Sequence, residues 1–276
     1  MMASASKVTL IISVYRSVAN LRCILSALRH QTYKAFEIII SEDGESEEMA
    51  RFIHELGPLQ QQLRHLTQRD EGFRKTRALN RAVISSRTDI LVFIDGDCVP
   101  HPRFIEGHVS QAAPNRVSVG RRVELGPKTS ETLILNPDLI LRWSTKTGLM
   151  RDLFSLQRDG TKNPEAGLHS EFLHQLRSSK RPAIVGCNFS LIKADIERIN
   201  GFNEDFVSIG TGEDTDIDWR LSASGCVNHD VKYVAPLFHL FHERTWPEES
   251  KNGDVLNRTK TDQTWRCIRG LNLHAP

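Results

Sequence analysis

The chain has 276 residues, 39% apolar and 25% charged, the balance of a soluble globular protein with one large α/β domain or a domain plus an appendage. Formal net charge is only +2, from 36 Lys+Arg against 34 Asp+Glu, so no global field favours a nucleic-acid partner. No apolar run approaches the roughly 20 residues needed to span a bilayer, and the first one starts too early and is too short for a signal peptide; the expectation is a cytoplasmic protein, or the soluble part of an assembly held peripherally at the cytoplasmic membrane face.

Val8 to Val14 is nearly continuous apolar sequence, the pattern of a parallel strand covered on both faces. Val18, Leu21, Leu25 and Leu28 then recur at helical spacing. A second short strand, Phe36 to Ile40, runs into the turn signal Ser41-Glu42-Asp43-Gly44, and Met49, Phe52, Ile53 and Leu56 mark the next helix. Leu63 to Thr67 reads as a third strand, Lys75 to Ser85 as a helix, and Asp89 to Asp95 as the clearest strand in the chain. This β-α-β-α order predicts right-handed crossovers and a mostly parallel nucleotide-binding sheet flanked by helices. From 126 to 182 the pattern weakens, and we expect an irregular insertion, helical in part, or a lid. Order returns at Ala183 to Ile192, and a helix runs from about Glu213 to a stop at Gly225. The organisation expected is therefore a sugar-nucleotide half over 1–125, the 126–182 insertion, and an acceptor-side half over 183–276, in one continuous domain. The cysteines at 23, 98, 187, 226 and 267 are odd in number and form no C-x-x-C pair, which excludes a disulfide framework and a structural zinc site.

In an open sheet of this kind, ligands sit beyond the carboxyl ends of the strands. Four polar sets fall there: Tyr15 and Arg16, Glu42 and Asp43, Arg69 to Phe73, and Asp95 to Asp97. Strand alternation puts Asp95 and Asp97 on one side, and Gly96 lets a phosphate or metal approach the backbone. Two hard oxygen ligands suit Mn²⁺ or Mg²⁺ bridging the phosphates of a nucleotide diphosphate. Taken alone, Asp-Gly-Asp is equally a plain turn. Asp43 is suited to accept the N3–H of uracil while Tyr15 or Phe73 packs on the base; it is also placed to cap the following helix. The cation-rich run containing Arg74 and Arg77 opens a helix, a natural anion site, although a solvated basic face has the same composition. Glu213-Asp214-Thr215-Asp216-Ile217-Asp218 carries four acids in six positions, more than helix capping needs. One of them is suited to act as general base on an acceptor hydroxyl, and His239 or His242 to complete the metal shell begun by Asp97.

With these motifs in place, the sequence resembles the GT-A family 2 glycosyltransferases. Ser13-Val14-Tyr15, Glu42-Asp43-Gly44 and Asp95-Gly96-Asp97 resemble the N-terminal half of that family. Asp70 to Asn80, Gly186-Cys187-Asn188-Phe189-Ser190 and Gly201-Phe202-Asn203 resemble a bacterial subgroup that builds lipopolysaccharide, capsule or chondroitin-like chains. Gly212 to Asp216 resembles a C-terminal motif of β-1,4-galactosyltransferases. The resemblance implies a GT-A fold and inverting transfer of a hexose or N-acetylhexosamine from a UDP-sugar to a glycan or lipid-linked saccharide, with Mn²⁺. It implies that Asp43 binds uracil, Asp95 the ribose or a metal-bound water, and Asp97 the metal, with His242, or else His239, as last ligand. Asp214 would be the base, and Glu213 and Asn188 would lie on the acceptor side. Val14 stands where the family has proline, and Glu42 where it more often has aspartate. The competing readings are a retaining or nucleotidyl-transferring relative, and a catalytically silent sugar-nucleotide or glycan-binding module.

Overall fold

The apolar run near the start of the chain forms β1 (Val8–Val14), in which Leu10, Ile11 and Ile12 have no exposed surface. The structure is a computed structural model and describes residues 7–57, 59, 61–177, 180–210, 212–243 and 252–274. Thr211, which leads into the acidic cluster, lies outside the described residues. After β1 come α1 (Val18–Leu28), β2 (Phe36–Glu42), α2 (Glu47–His54), β3 (Leu63–Leu66), α3 (Lys75–Ser85) and β4 (Ile90–Asp95). Each matches a sequence-predicted element within a residue or two. Next are β5 (Cys98–Pro100), α4 (Phe104–Gln111), β6 (Arg116–Val119) and β7 (Val123–Glu124). Then follow α5 (Pro127–Leu135), α6 (Leu139–Trp143), α7 (Lys146–Arg158) and α8 (Glu171–Gln175). The chain continues through β8 (Phe189–Ile192), α9 (Lys193–Arg198), α10 (Glu213–Ala223), β9 (Val227–Asp230), β10 (Leu237–His239) and α11 (Asn252–Thr261).

Seven strands form one sheet in the order β3-β2-β1-β4-β8-β6-β9. The first four are parallel, so Val14, Glu42, Leu66 and Asp95 all end on one edge. β8 runs antiparallel to β4, with Phe93 opposite Phe189, so the loop entering β8 returns to that same edge. A residue at the start of β8 thereby meets residues at the end of β4, although about 90 positions separate them. Alternation along β1 and β4 divides the core into two layers. Leu10, Ile12, Val92 and Ile94 face α1, α2 and α4, while Ile11, Leu91 and Phe93 face α3, α9 and α10. Burying each such Ile, Leu or Phe side chain contributes roughly 1.5–3 kcal/mol, which rigidifies the strand ends that carry the polar residues.

A second sheet, β5-β10-β7, is only three strands wide. β5 pairs antiparallel with β10, setting His239 opposite Cys98. The Leu240 N–H donates to the Asp97 carbonyl at 2.8 Å, continuing that pairing to the Asp-Gly-Asp turn.

Segment 126–182 is more regular than its sequence pattern suggested. Its described residues carry α5 to α8, and Leu133, Ile140, Trp143, Leu149 and Leu156 enter the main core. The helices are short and turn repeatedly, so no long 3.6-residue period develops in the sequence. The five cysteines are buried and form no disulfide. Among the described residues, no helix is long and apolar enough to cross a membrane.

Candidate active site

Beyond the parallel strand ends lies a cleft of about 440 Å³, lined among others by Ser13, Tyr15, Asp43, Phe73, Lys75, Asp95 and Asp97. That is the size of a small-ligand site. Gly96 lies in its wall with no room for a side chain: a Cβ there would stand 2.9 Å from the Ser13 carbonyl oxygen and 3.0 Å from Val14 Cγ1. Asp43 is buried, and its carboxylate accepts from Gln68 Nε2 and from the Arg74 N–H, both at 2.8 Å. It does not cap α2. Ser46 does that, accepting from the Met49 N–H, while Glu42 takes the Ser46 N–H and the His65 ring. Asp43 is thus a fixed acceptor facing the cleft, and each of its oxygens keeps a second lone pair for a ligand.

The arginines of the basic run point elsewhere. Arg77 bonds Gln68, Glu71 and the Arg69 carbonyl, and Arg74 bonds the Phe73 carbonyl. Arg16 has a positive φ of 51° and pairs with Asp70 at 2.6 Å, and the Tyr15 hydroxyl donates to the same carboxylate at 3.2 Å. These three arginines, expected as donor contacts, brace the cleft rim and do not line it. Among the described residues, the cation of this run that lines the cleft is Lys75, the first residue of α3. Its Nζ stands 2.8 Å from Asp95 Oδ1 and 3.9 Å from Glu213 Oε1. Burial alone would lower its pKa, but the charges of Asp95, Glu213 and Asp214 raise it well above normal.

Below the cleft, and sharing Ser13, Lys75 and Asp95 with it, a narrow recess holds Glu213, Asp214 and Gly186. The Gly186 N–H donates to Asp214 Oδ2 at 2.9 Å. Burial raises the Asp214 carboxyl; Lys75 opposes this and the Asp95 charge adds to it. Glu213 is pushed up to about 7 by burial, opposed by Lys75 and reinforced by Asp214, and its Oε2 has no hydrogen-bond partner among the described residues. The other two acids of the cluster are structural. Asp216 takes the Nε of the wholly buried Arg220 at 2.7 Å, and that guanidinium also donates to the Ile199 and Gly201 carbonyls. Asp218 accepts from Asn228 at 2.6 Å.

On the opposite side, His239 Nε2 and His242 Nε2 stand 3.3 and 3.4 Å from Asp97 Oδ2. The ligand atoms of Asp97, His239 and His242 lie within 4.8 Å of one another. Burial would raise the Asp97 carboxyl, but the hydrogen bond and charge of His239, with Cys98 and His242, bring it down to about 2. A carboxylate held ionised beside two imidazoles fits a divalent transition ion better than Mg²⁺, which favours all-oxygen surroundings. Both histidines therefore join Asp97, whereas Asp95, proposed from sequence as a further ligand, is turned to Lys75.

Asn188 requires correction. It has no exposed surface; its amide nitrogen donates to the Arg121 and Ala235 carbonyls, and its oxygen lies 3.0 Å from His108 Nε2. With those groups occupied it ties β8 to the chain and does not face an acceptor. The neighbouring Gly186 is the residue of that motif that touches the site: a Cβ on it would lie 2.3 Å from Asp214 Oδ1. Asn80, the last residue of the Asp70–Asn80 motif, spans Phe202 and Glu204 and so anchors the loop before α10.

Comparison with known proteins shows the family and the fold. The sequence profile described as Glycosyl transferase family 2 matches residues 9–159, and that described as the N-terminal domain of galactosyltransferase matches 167–243. The chain is 23% identical over 227 residues to a hyaluronan synthase of Pasteurella multocida, covering 79% of this chain and 23% of that protein. It is 24% identical over 228 residues to a validoxylamine A glucosyltransferase of Streptomyces hygroscopicus, covering 79% and 51%. A third relative, glycosyltransferase AglE of Haloferax volcanii, is 31% identical over 120 residues, 42% of this chain and 39% of that one. The chain thus spans about half the length, or less, of these relatives. Two solved structures share the fold, each with a TM-score of 0.57. A Pyrobaculum calidifontis mannosyltransferase with GDP-Man and Mn²⁺ is 16% identical, covering 88% of this chain and 59% of that one. GalNAc-T7 with UDP, GalNAc and Mn²⁺ is 13% identical, covering 94% and 48%. Because the first profile spans more than half of the sequence and carries the whole parallel-strand edge with it, the chain belongs to glycosyl transferase family 2 and has the GT-A fold.

Proposed function

We propose that this chain is an inverting, Mn²⁺-dependent glycosyltransferase that moves a hexose or N-acetylhexosamine from a UDP-sugar to a glycan or lipid-linked saccharide acceptor in surface-polysaccharide synthesis. The observation that carries the reading is the placement of two different carboxylate sets around one cleft. Asp97 with two histidines is arranged for a cation, and Asp214 with Glu213 and Lys75 is arranged for proton transfer. Asp43 receives the uracil edge, with Tyr15 and Phe73 at the base. Asp97, His239 and His242 would hold the cation, which would supply positive charge toward the departing diphosphate. Asp214 takes the proton of the acceptor hydroxyl as its oxygen attacks the anomeric carbon, and the electron pair of the breaking C–O bond leaves on the diphosphate. One displacement inverts the anomeric centre. Lys75 keeps Asp95 in place and favours the ionised form of Asp214.

The two Mn²⁺-containing neighbours carry GDP-Man in one case and UDP with GalNAc in the other, so a donor screen is the test. Thermal unfolding is followed with UDP-, GDP- and dTDP-sugars, with and without Mn²⁺. Saturation to roughly 100 Kd adds about 2.7 kcal/mol. UDP-sugars should stabilise only with Mn²⁺, and Asp97→Ala should abolish the Mn²⁺-dependent part. Stabilisation that ignores Mn²⁺, or none from any nucleotide sugar, overturns the reading.

A further inference from the structure

Outside the donor cleft, a groove of about 330 Å³ is lined by Arg121, Arg122, Arg177 and Lys232, with Glu124 as the one acidic residue of its lining among the described residues. Its position ties it to the site. Arg122 Nη1 lies 3.2 Å from the sulfur of Cys187, the residue next to Gly186, and the charge of Arg122 reaches Asp214. On the other side Glu124 sits beside His239 in the pairing of β7 with β10. Two residues of the groove wall, Arg122 and Glu124, thus adjoin the Gly186 loop and the β10 strand that carries His239.

Its charges are unevenly answered. Arg177 is held by Asp230 at 2.6 Å and Lys232 by Glu165 at 2.9 Å. Arg122 has Glu124 at 3.5 Å. Arg121 donates to the Ala183 carbonyl at 3.3 Å and, among the described residues, has no ion pair. Two consecutive arginines thus turn into one groove with, among the described residues, at most one acid between them, and like charges this close repel. A guanidinium pair is matched to a planar carboxylate or a phosphate, which it can grip bidentately. Among the described residues, no aromatic ring lines the groove to stack against a neutral pyranose face.

We propose that Arg121 and Arg122 form an anion subsite that selects an acidic acceptor, a saccharide bearing a carboxylate or a phosphate near the hydroxyl that is glycosylated. The proposal rests on the transferase reading for its word acceptor, but its test does not need transfer. Binding of methyl β-glucuronide, methyl β-glucoside and methyl β-glucoside 6-phosphate is measured by NMR titration of the protein with Mn²⁺ and UDP present. At least one acidic glycoside should bind ten-fold or more tightly than the neutral one, and salt should weaken that preference. The stronger of the two acidic probes identifies carboxylate or phosphate. Arg121→Gln should cut the preference at least three-fold, and Arg121→Gln with Arg122→Gln should erase it. If the double variant fails to fold, the single variant decides, since Arg121 makes only a carbonyl contact. Equal binding of acidic and neutral glycosides, no binding of any, or a preference untouched by Arg121→Gln overturns the proposal. Loss of Mn²⁺–UDP binding in the native protein, with the acidic preference intact, would instead count against the donor reading alone.

Discussion

Gly186→Ala isolates the alignment of Asp214 from its chemistry. The backbone at Gly186 is not in the left-handed region, so alanine adds no conformational strain. The added methyl would stand 2.3 Å from Asp214 Oδ1 and 2.9 Å from Cγ, where ordinary van der Waals contact is 3.4 Å or more. The carboxylate is the far end of a side chain, so it can swing aside by roughly 1 Å at small cost to folding. A displacement of that size at a reacting group costs on the order of 100-fold in rate. We therefore expect kcat for transfer to fall about 100-fold, with Mn²⁺–UDP affinity within about three-fold of native and the melting temperature nearly unchanged. Steady-state kinetics, calorimetric UDP titration and a melting curve on one preparation give the three numbers. A kcat within three-fold of native would refute the placement of Asp214 at the reacting centre; equal loss of UDP binding would show that the methyl acts on the cleft as a whole.

Three further outcomes follow from the same site. Glu213 titrates near 7 in the fold against about 4.5 unfolded, so the folded state binds its proton more tightly and loses stability as pH rises through that window. Glu213→Gln should remove a pH-dependent loss on the order of 3 kcal/mol between pH 4.5 and 7, read by denaturant unfolding; an unchanged slope contradicts the burial of that carboxyl. Lys75→Met removes the cation that lowers Asp214, so the acid limb of the kcat profile should move to higher pH and kcat should drop at least 100-fold; an unmoved limb separates Lys75 from Asp214. Arg220→Met leaves Asp216 buried without its partner and should cost about 3–5 kcal/mol of stability, whereas a cost under about 1 kcal/mol in chemical denaturation contradicts a structural role for that pair.

The parts of the molecule legible in the sequence are those whose partners are near in sequence or whose pattern is strong. β1, β4 and α3 show their periods directly, and their order dictates a parallel sheet whose carboxyl edge collects Ser13, Asp43 and Asp95. The small sheet is invisible at that level, because strands of two and three residues carry no period and His239 meets Asp97 only through pairing across about 140 positions. β9 leaves no strand signal, because it reads Val227-Asn-His-Asp230 with its apolar residue exposed. Within the basic run, the residue types announce an anion site, but helix phase alone decides that Lys75 and not Arg74 or Arg77 turns inward. Asn188 misled for a related reason: a polar residue in a motif beside the site can be spent entirely on holding the backbone. The acids at 213, 214, 216 and 218 split the same way, two into the recess and two into structure.

In the proposed mechanism Asp214 carries the proton transfer while Asp97 and the two histidines serve the donor. Asp214→Asn keeps the shape of the side chain and removes its basicity. With the preferred nucleotide sugar, Mn²⁺ and an acceptor, product formation should fall by at least about 1,000-fold, while the Kd for Mn²⁺–UDP stays within about three-fold of native. Parallel loss of transfer and UDP binding, or transfer surviving within ten-fold, would contradict it.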